Sequence, residues 1–289
     1  MWAIFRREFQ AYFTTPIGYI FVGFFLLIAG IFFALTNILG AAPDFKSVLG
    51  SLLFIFLIVV PVLTMRLLSE EARFHTDQLL LSSPVRVTSI VLGKYFAALG
   101  VFLATLIVTF SYPVIMSFYS QGRLAVWEIV GGYVGFFLLG ASFIAVGLFI
   151  SSLTENTFIA AVETFAALLF MWIIEWVQPS LPADAGSGLV LLAAAAAGLA
   201  TLLYFSTRSL AAALLSAVAL AAALTVSFSL ARPWYKGVIA RILDWFSLVR
   251  RFQDFGLGIL SLSSIVYYLS FSAIFVFLTV RMIEKRRWI

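Results

Sequence analysis

Apolar runs of roughly 20 residues follow one another along the chain, at about 17–40, 48–68, 88–119, 126–151, 157–178, 187–206, 209–231 and 262–283, with short polar links between them. An α-helix of about 20 residues is what it takes to cross the hydrocarbon core of a bilayer. Barrel strands would alternate apolar and polar residues instead. The expectation is an all-α polytopic membrane protein with about eight transmembrane helices. Composition agrees, since 63% of the 289 residues are hydrophobic and only 11% are charged, too few for a water-facing surface. The chain has no cysteine, which excludes disulfides, thiolate metal sites and cysteine nucleophiles. Its single histidine, His75, argues against a histidine metal centre. In a membrane protein a net charge of +5 is assigned to loops, so no nucleic-acid partner is expected.

The links carry the remaining information. Residues 2–14 place Trp2, Phe5, Phe9, Tyr12 and Phe13 on one helical arc, with Arg7 and Gln10 opposite. This predicts an interfacial helix over 1–15, its aromatic face below the headgroups and Arg6 and Arg7 near lipid phosphates. Pro16 and Gly18 then reset the chain direction. The fourth run carries Gly131, Gly135, Gly140 and Gly147, small enough to admit a neighbouring helix. Residues 187–231 read as a helical hairpin. Residues 232–260 alternate aromatic and charged side chains and read as an outer amphipathic segment. With the N-terminus inside, 11 of the 18 basic residues fall on the cytoplasmic side, so both termini are expected in the cytoplasm.

One link is unlike the rest. RLLSEEARFHTDQLLLSSPVRVTSIVLGK, residues 66–94, holds a polar loop at 66–88 in which Glu70, Glu71, Arg73 and Asp77 fit a short charged helix, with Arg73 and Asp77 spaced for an ion pair. Leu79, Leu80 and Leu81 add an apolar patch. An ordinary solvated loop would have the same composition. Within the fifth run, Glu163 lies deep enough for ionisation to be costly without a partner or water. It is read either as lining a translocation path or as a carboxyl bonded to a neighbouring hydroxyl.

EEARFHTDQLLLSSPV followed by Gly93 and Lys94, ISSLTEN at 150–156, FSLVRRFQDFGLGIL, and VYYLSFSAIFVFLTVRMIEKRRW at the C-terminus together resemble the permease subunits of type-two ATP-binding-cassette (ABC) transporters, in their gliding-motility-type branch. The resemblance implies a six-span permease core, a pairing of two permeases (copies or paralogues) with two ABC ATPase subunits, and usually export. It further implies that Glu70 to Leu81 form a coupling helix docked in the ATPase. Glu70, Glu71, Arg73, His75, Thr76, Asp77 and Gln78 would then be at the contact, with Leu79 and Leu80 as its apolar anchor. Thr154, Glu155 and Asn156 would make a second contact, and the location would be the cytoplasmic (inner) membrane. His75 stands where the branch usually has glycine. The hairpin at 187–231 is an addition to the usual core, packed toward lipid or against an auxiliary subunit. Gly93 and Lys94 are followed by Tyr95 and lack the upstream glycine of a phosphate-binding loop, so no nucleotide motif is present and MgATP would belong to the partner ATPase. Rival readings are a membrane anchor for an ABC ATPase without transport, and a secondary transporter, for which Glu163 alone offers an intramembrane coupling group.

Overall fold

The computed structural model describes residues 1–40, 44–75, 85–119, 125–177, 180, 182, 184–207, 210–230 and 232–287, and every regular element among them is helical. Helix α1 spans Trp2–Thr14. Helix α2, Pro16–Leu39, opens with proline at its first position, where the missing N–H has no partner to lose, and widens into a π-helix over Ala34–Leu39. Helix α3, Phe45–Arg73, is capped by Asp44, whose Oδ1 accepts from the Ser47 amide at 3.3 Å. Helices α4 (Val87–Phe118) and α5 (Val126–Ser151) follow. Asn156 caps α6 (Thr157–Val177), its Oδ1 accepting from the Phe158 amide at 2.9 Å. The last helix of the chain, α12, runs from Leu262 to Arg287.

These six, α2 to α6 and α12, are long and apolar enough to cross a membrane. They coincide with six of the eight expected runs. The other two runs are also helical, as α7 (Ala185–Thr207) and α8 (Leu210–Leu230), which pack on each other as a hairpin. Their described apolar stretches, Ala185–Gly198 and Leu215–Leu230, are shorter, so among the described residues six helices meet the length requirement.

The chain was expected to form one transmembrane domain over 1–289; its contacts group it into two compact units. The first comprises Met1–Phe170 and Leu248–Ile289. Its centre is a knot of phenylalanines: Phe56 stacks on Phe136 with centroids 4.5 Å apart, Phe102 meets both rings edge-on or tilted, and Phe25 meets Phe102 and Phe136 edge-on. All four are at most 1% exposed. Close approach is set by the α5 glycines. A Cβ at Gly140 would collide with the Phe102 ring, one at Gly147 with the Thr64 side chain, and one at Gly131 would sit 2.6 Å from the Phe255 carbonyl oxygen.

Two expected interfacial segments are partly drawn into this packing. The α1 face does not lie wholly toward lipid. Ile4 packs on Gly93 and Phe5 and Phe9 on Gly100 of α4, seven residues apart and so on one side of that helix. Trp2 remains 72% exposed, at the end of a ladder of rings running through Phe5, Phe9 and Phe13 to Tyr19. The amphipathic segment 232–260 is divided. Helix α11, Leu248–Gly256, buries Leu248, Val249, Phe252 and Phe255 in the first unit, where Gly131 and Gly135 leave room for Phe255. The Tyr268 hydroxyl donates to the Leu248 carbonyl at 2.6 Å.

The second unit, Met171–Ser247, contains the end of α6, the α7–α8 hairpin, and short helices α9 (Arg232–Tyr235) and α10 (Val238–Phe246). Gly237 between α9 and α10 has φ +67°, a left-handed turn suited to glycine. The Tyr235 ring meets Phe228 edge-on at 5.2 Å, tying the turn to α8.

Candidate functional site: the base of the polar loop

The polar loop begins where α3 changes direction. After a turn at 65–68, the helix resumes for Ser69–Arg73 only. A break in a buried helix leaves amides without partners, and Ser151, the last residue of α5, supplies them. Its Oγ accepts from the amides of Leu68 and Ser69, each at 3.1 Å, and donates to the Met65 carbonyl at 3.2 Å. Ser151 is fully buried. The loop is thereby anchored to the end of the fourth apolar run by a residue that sequence reasoning noticed only as part of ISSLTEN.

Charges then fasten the loop to α1 and α4. The Lys94 ammonium lies 2.9 Å from a Glu71 carboxylate oxygen and 3.3 Å from Glu8, with only 2% of its side chain exposed. Arg7 closes the figure, 2.5 Å from Glu8 and 3.3 Å from Glu71. Two cations and two carboxylates balance, which is the condition under which charges can be buried at tolerable cost. The Arg7 guanidinium holds its proton more firmly than usual, chiefly through its hydrogen bond to Glu8 and against the opposing effect of partial burial. Beside this cluster the Tyr12 hydroxyl donates to the Leu63 carbonyl at 2.7 Å. Burial, followed by the nearby Glu8 charge, pushes the Tyr12 phenol well above its ordinary range.

The expected contact residues therefore occupy different surroundings. Glu71 faces inward, into the cluster. Glu70 pairs with Arg66 one turn back, the Arg66 Nε donating to its carboxylate at 2.6 Å. Arg73 and His75 are exposed, and so is Phe74, at 63%, with the Arg73 guanidinium 5.8 Å above its ring. Phe74 is an outward-facing aromatic that the sequence reading passed over. Thr76, Asp77, Gln78, Leu79 and Leu80, and with them the expected Arg73–Asp77 pair, lie outside the described residues.

His75 has φ +54°. This is the left-handed conformation that glycine adopts without strain, and histidine is among the residues that tolerate it better than most. Its amide donates to the Ala72 carbonyl at 3.2 Å, closing the short helix. The turn is thus made in the glycine conformation by a residue that is not glycine.

The other predicted residues stand apart from the cluster. Thr154 Oγ1 accepts from the Asn156 amide at 3.2 Å, and Asn156 is occupied in capping α6, so both shape the turn; Glu155 is exposed. Glu163 is exposed on α6, and among the described residues its carboxylate makes no hydrogen bond or ion pair. Neighbouring Thr164 is buried and bonds back to Ala160 at 2.7 Å, so it does not serve as the hydroxyl partner considered for Glu163.

No family model and no curated protein matches this chain.

Proposed function

We propose that the chain is the membrane-spanning permease subunit of an ABC exporter, driven by a separate ATPase subunit that docks on the 66–88 loop. The observation that carries the reading is the buried Lys94–Glu71 pair. A loop meant only to join two spans gains little from a costly buried charge at its base, whereas a loop that transmits force needs a stiff attachment to the spans it moves. Lys94 on α4, Glu8 on α1 and Ser151 on α5 supply that attachment from three sides. MgATP-driven closure of the ATPases would displace the exposed residues Arg73 to His75 and carry these helices with them, provided each state has its own contacts.

One further observation supports the reading. The Glu163 carboxylate on an apolar helix surface is expensive in lipid. A second permease covering this face of α6, with water between the two, would relieve that cost and make Glu163 part of the translocation path. In this arrangement α7 and α8 cross as well, giving eight spans, both termini are cytoplasmic, and the α7–α8 hairpin is available to an auxiliary subunit. The membrane is the cytoplasmic (inner) membrane.

The test is the double variant Arg73→Glu with Asp77→Lys, which reverses two charges at the loop while leaving the buried cluster intact. Purified from native membranes, the wild-type chain is expected to bring down an ABC ATPase and the variant to lose it or to retain it without stimulated hydrolysis. Recovery of no ATPase with the wild type, or equal recovery and coupling with the variant, overturns the proposal.

A further inference from the structure

Helices α4, α5 and α12 leave between them a groove of about 750 Å³ in the first unit. Its floor is made by Tyr95, Ala141 and Ser272, and Phe277 stands 54% exposed on one wall. Phe137 and Leu138 also border a second hollow of about 470 Å³, so the trough continues along α4 and α5 toward Phe110 and Tyr133. The hydroxyls in the floor are already engaged: Tyr95 donates to the Ala141 carbonyl at 3.2 Å and Ser272 to the Tyr268 carbonyl at 2.9 Å. The trough therefore offers an apolar chain a largely apolar surface whose floor hydroxyls are already bonded, on helices long enough to cross a membrane.

One end of the groove is charged. Arg281 and Glu284 border it, 3.1 Å apart, with side chains 64% and 38% exposed. The Arg281 guanidinium lies 5.0 Å above the Phe277 ring, which holds it over the groove wall. A cation and a carboxylate side by side at the mouth of an apolar trough complement a headgroup that carries a phosphate next to an ammonium. Arginine matches phosphate by charge and geometry, and a carboxylate accepts hydrogen bonds from a primary ammonium but not from a quaternary one, which has no N–H.

We propose that this groove binds an ethanolamine phospholipid, with an acyl chain along α4, α5 and α12, its phosphate on Arg281 and its ammonium on Glu284. The inference requires that these helices lie in a bilayer and does not rest on pairing with an ATPase.

The experiment exposes delipidated, purified full-length protein to an equimolar mixture of phosphatidylethanolamine, phosphatidylcholine and phosphatidylglycerol with identical chains, and reads the retained lipid by native mass spectrometry. The wild type is expected to retain the ethanolamine lipid about tenfold over the choline lipid, the size of one charge-assisted hydrogen bond. Glu284→Gln is expected to remove that preference while phospholipid is still retained, and Arg281→Gln to lower retention of all three. Water-soluble glycerophosphoethanolamine is expected not to compete, because it has no chain to place in the groove. Arg281 is exposed and Glu284 half-buried, and circular dichroism would verify that the variants remain helical. Equal retention of the three lipids by the wild type overturns the proposal. So does a preference that survives both substitutions, competition by the headgroup alone, or cross-linking that places a second copy of the chain in the groove.

Discussion

Lys94 and Glu71 form a buried ion pair at 2.9 Å, joining the start of α4 to the end of α3 across the polar loop that separates them in sequence. Glu8, 3.3 Å from the same ammonium, adds α1 to the joint. The loop is polar, yet its base is held by charges largely withdrawn from water.

Removing one member of such a pair leaves the others uncompensated. Lys94→Met is expected to destabilise the protein by about 3–5 kcal/mol. The double variant Lys94→Met, Glu71→Gln should recover most of that loss, since it leaves Arg7 paired with Glu8 and strands no carboxylate. Thermal unfolding midpoints of the two purified proteins check this; equal midpoints would show that the carboxylates find other partners.

His75 holds a left-handed conformation that costs an ordinary L-residue about 1–2 kcal/mol. His75→Gly should keep or stiffen the turn, and His75→Val should loosen it, because a β-branched residue tolerates this region worst. The rate of limited proteolysis within 66–88 is the readout, expected to rise for valine and not for glycine.

Tyr12→Phe removes the hydrogen bond to the Leu63 carbonyl and is expected to cost about 1 kcal/mol. Because the folded phenol titrates above its unfolded value of about 10, the wild type keeps this contribution in full below that pH. As pH rises beyond it, the unfolded chain ionises first and the contribution is lost. The stability difference between wild type and Tyr12→Phe should therefore be flat from neutral pH to about 10 and shrink above it.

Helix-to-helix distance should discriminate between glycines. Gly131→Ala sets a methyl 2.6 Å from the Phe255 backbone oxygen, which cannot move aside cheaply, and is expected to cost about 1–3 kcal/mol. Gly23→Ala on α2 meets nothing within 4 Å and should stabilise by roughly 0.5–1 kcal/mol through helix propensity. Unfolding midpoints moving in opposite directions would bear out the contrast.

The elements themselves were legible. Six apolar runs became helices within a few residues of where the hydrophobic pattern places them. The candidate site was legible only in outline. Glu70 and Glu71 are adjacent and chemically alike, yet one pairs with Arg66 in its own helix and the other with Lys94 and Arg7. Periodicity predicts the first pairing, because its partner is four residues away. It says nothing of the second, whose partners are 23 and 64 residues distant. Ser151 was equally hidden, since a serine at a helix end has many uses and its value here lies in facing a break in another helix.

The amino-acid sequence alone determined that this chain is a set of long apolar helices, because in hydrocarbon a backbone must satisfy its own hydrogen bonds and only a helix does so within one segment. Tertiary structure decided which polar groups met one another. Gly93 and Gly100 admit α1 against α4, and that approach brings Arg7 and Glu8 to Lys94 and Glu71. Charge pairing of this kind depends on distance in space, and distances between helices come from how their side chains pack.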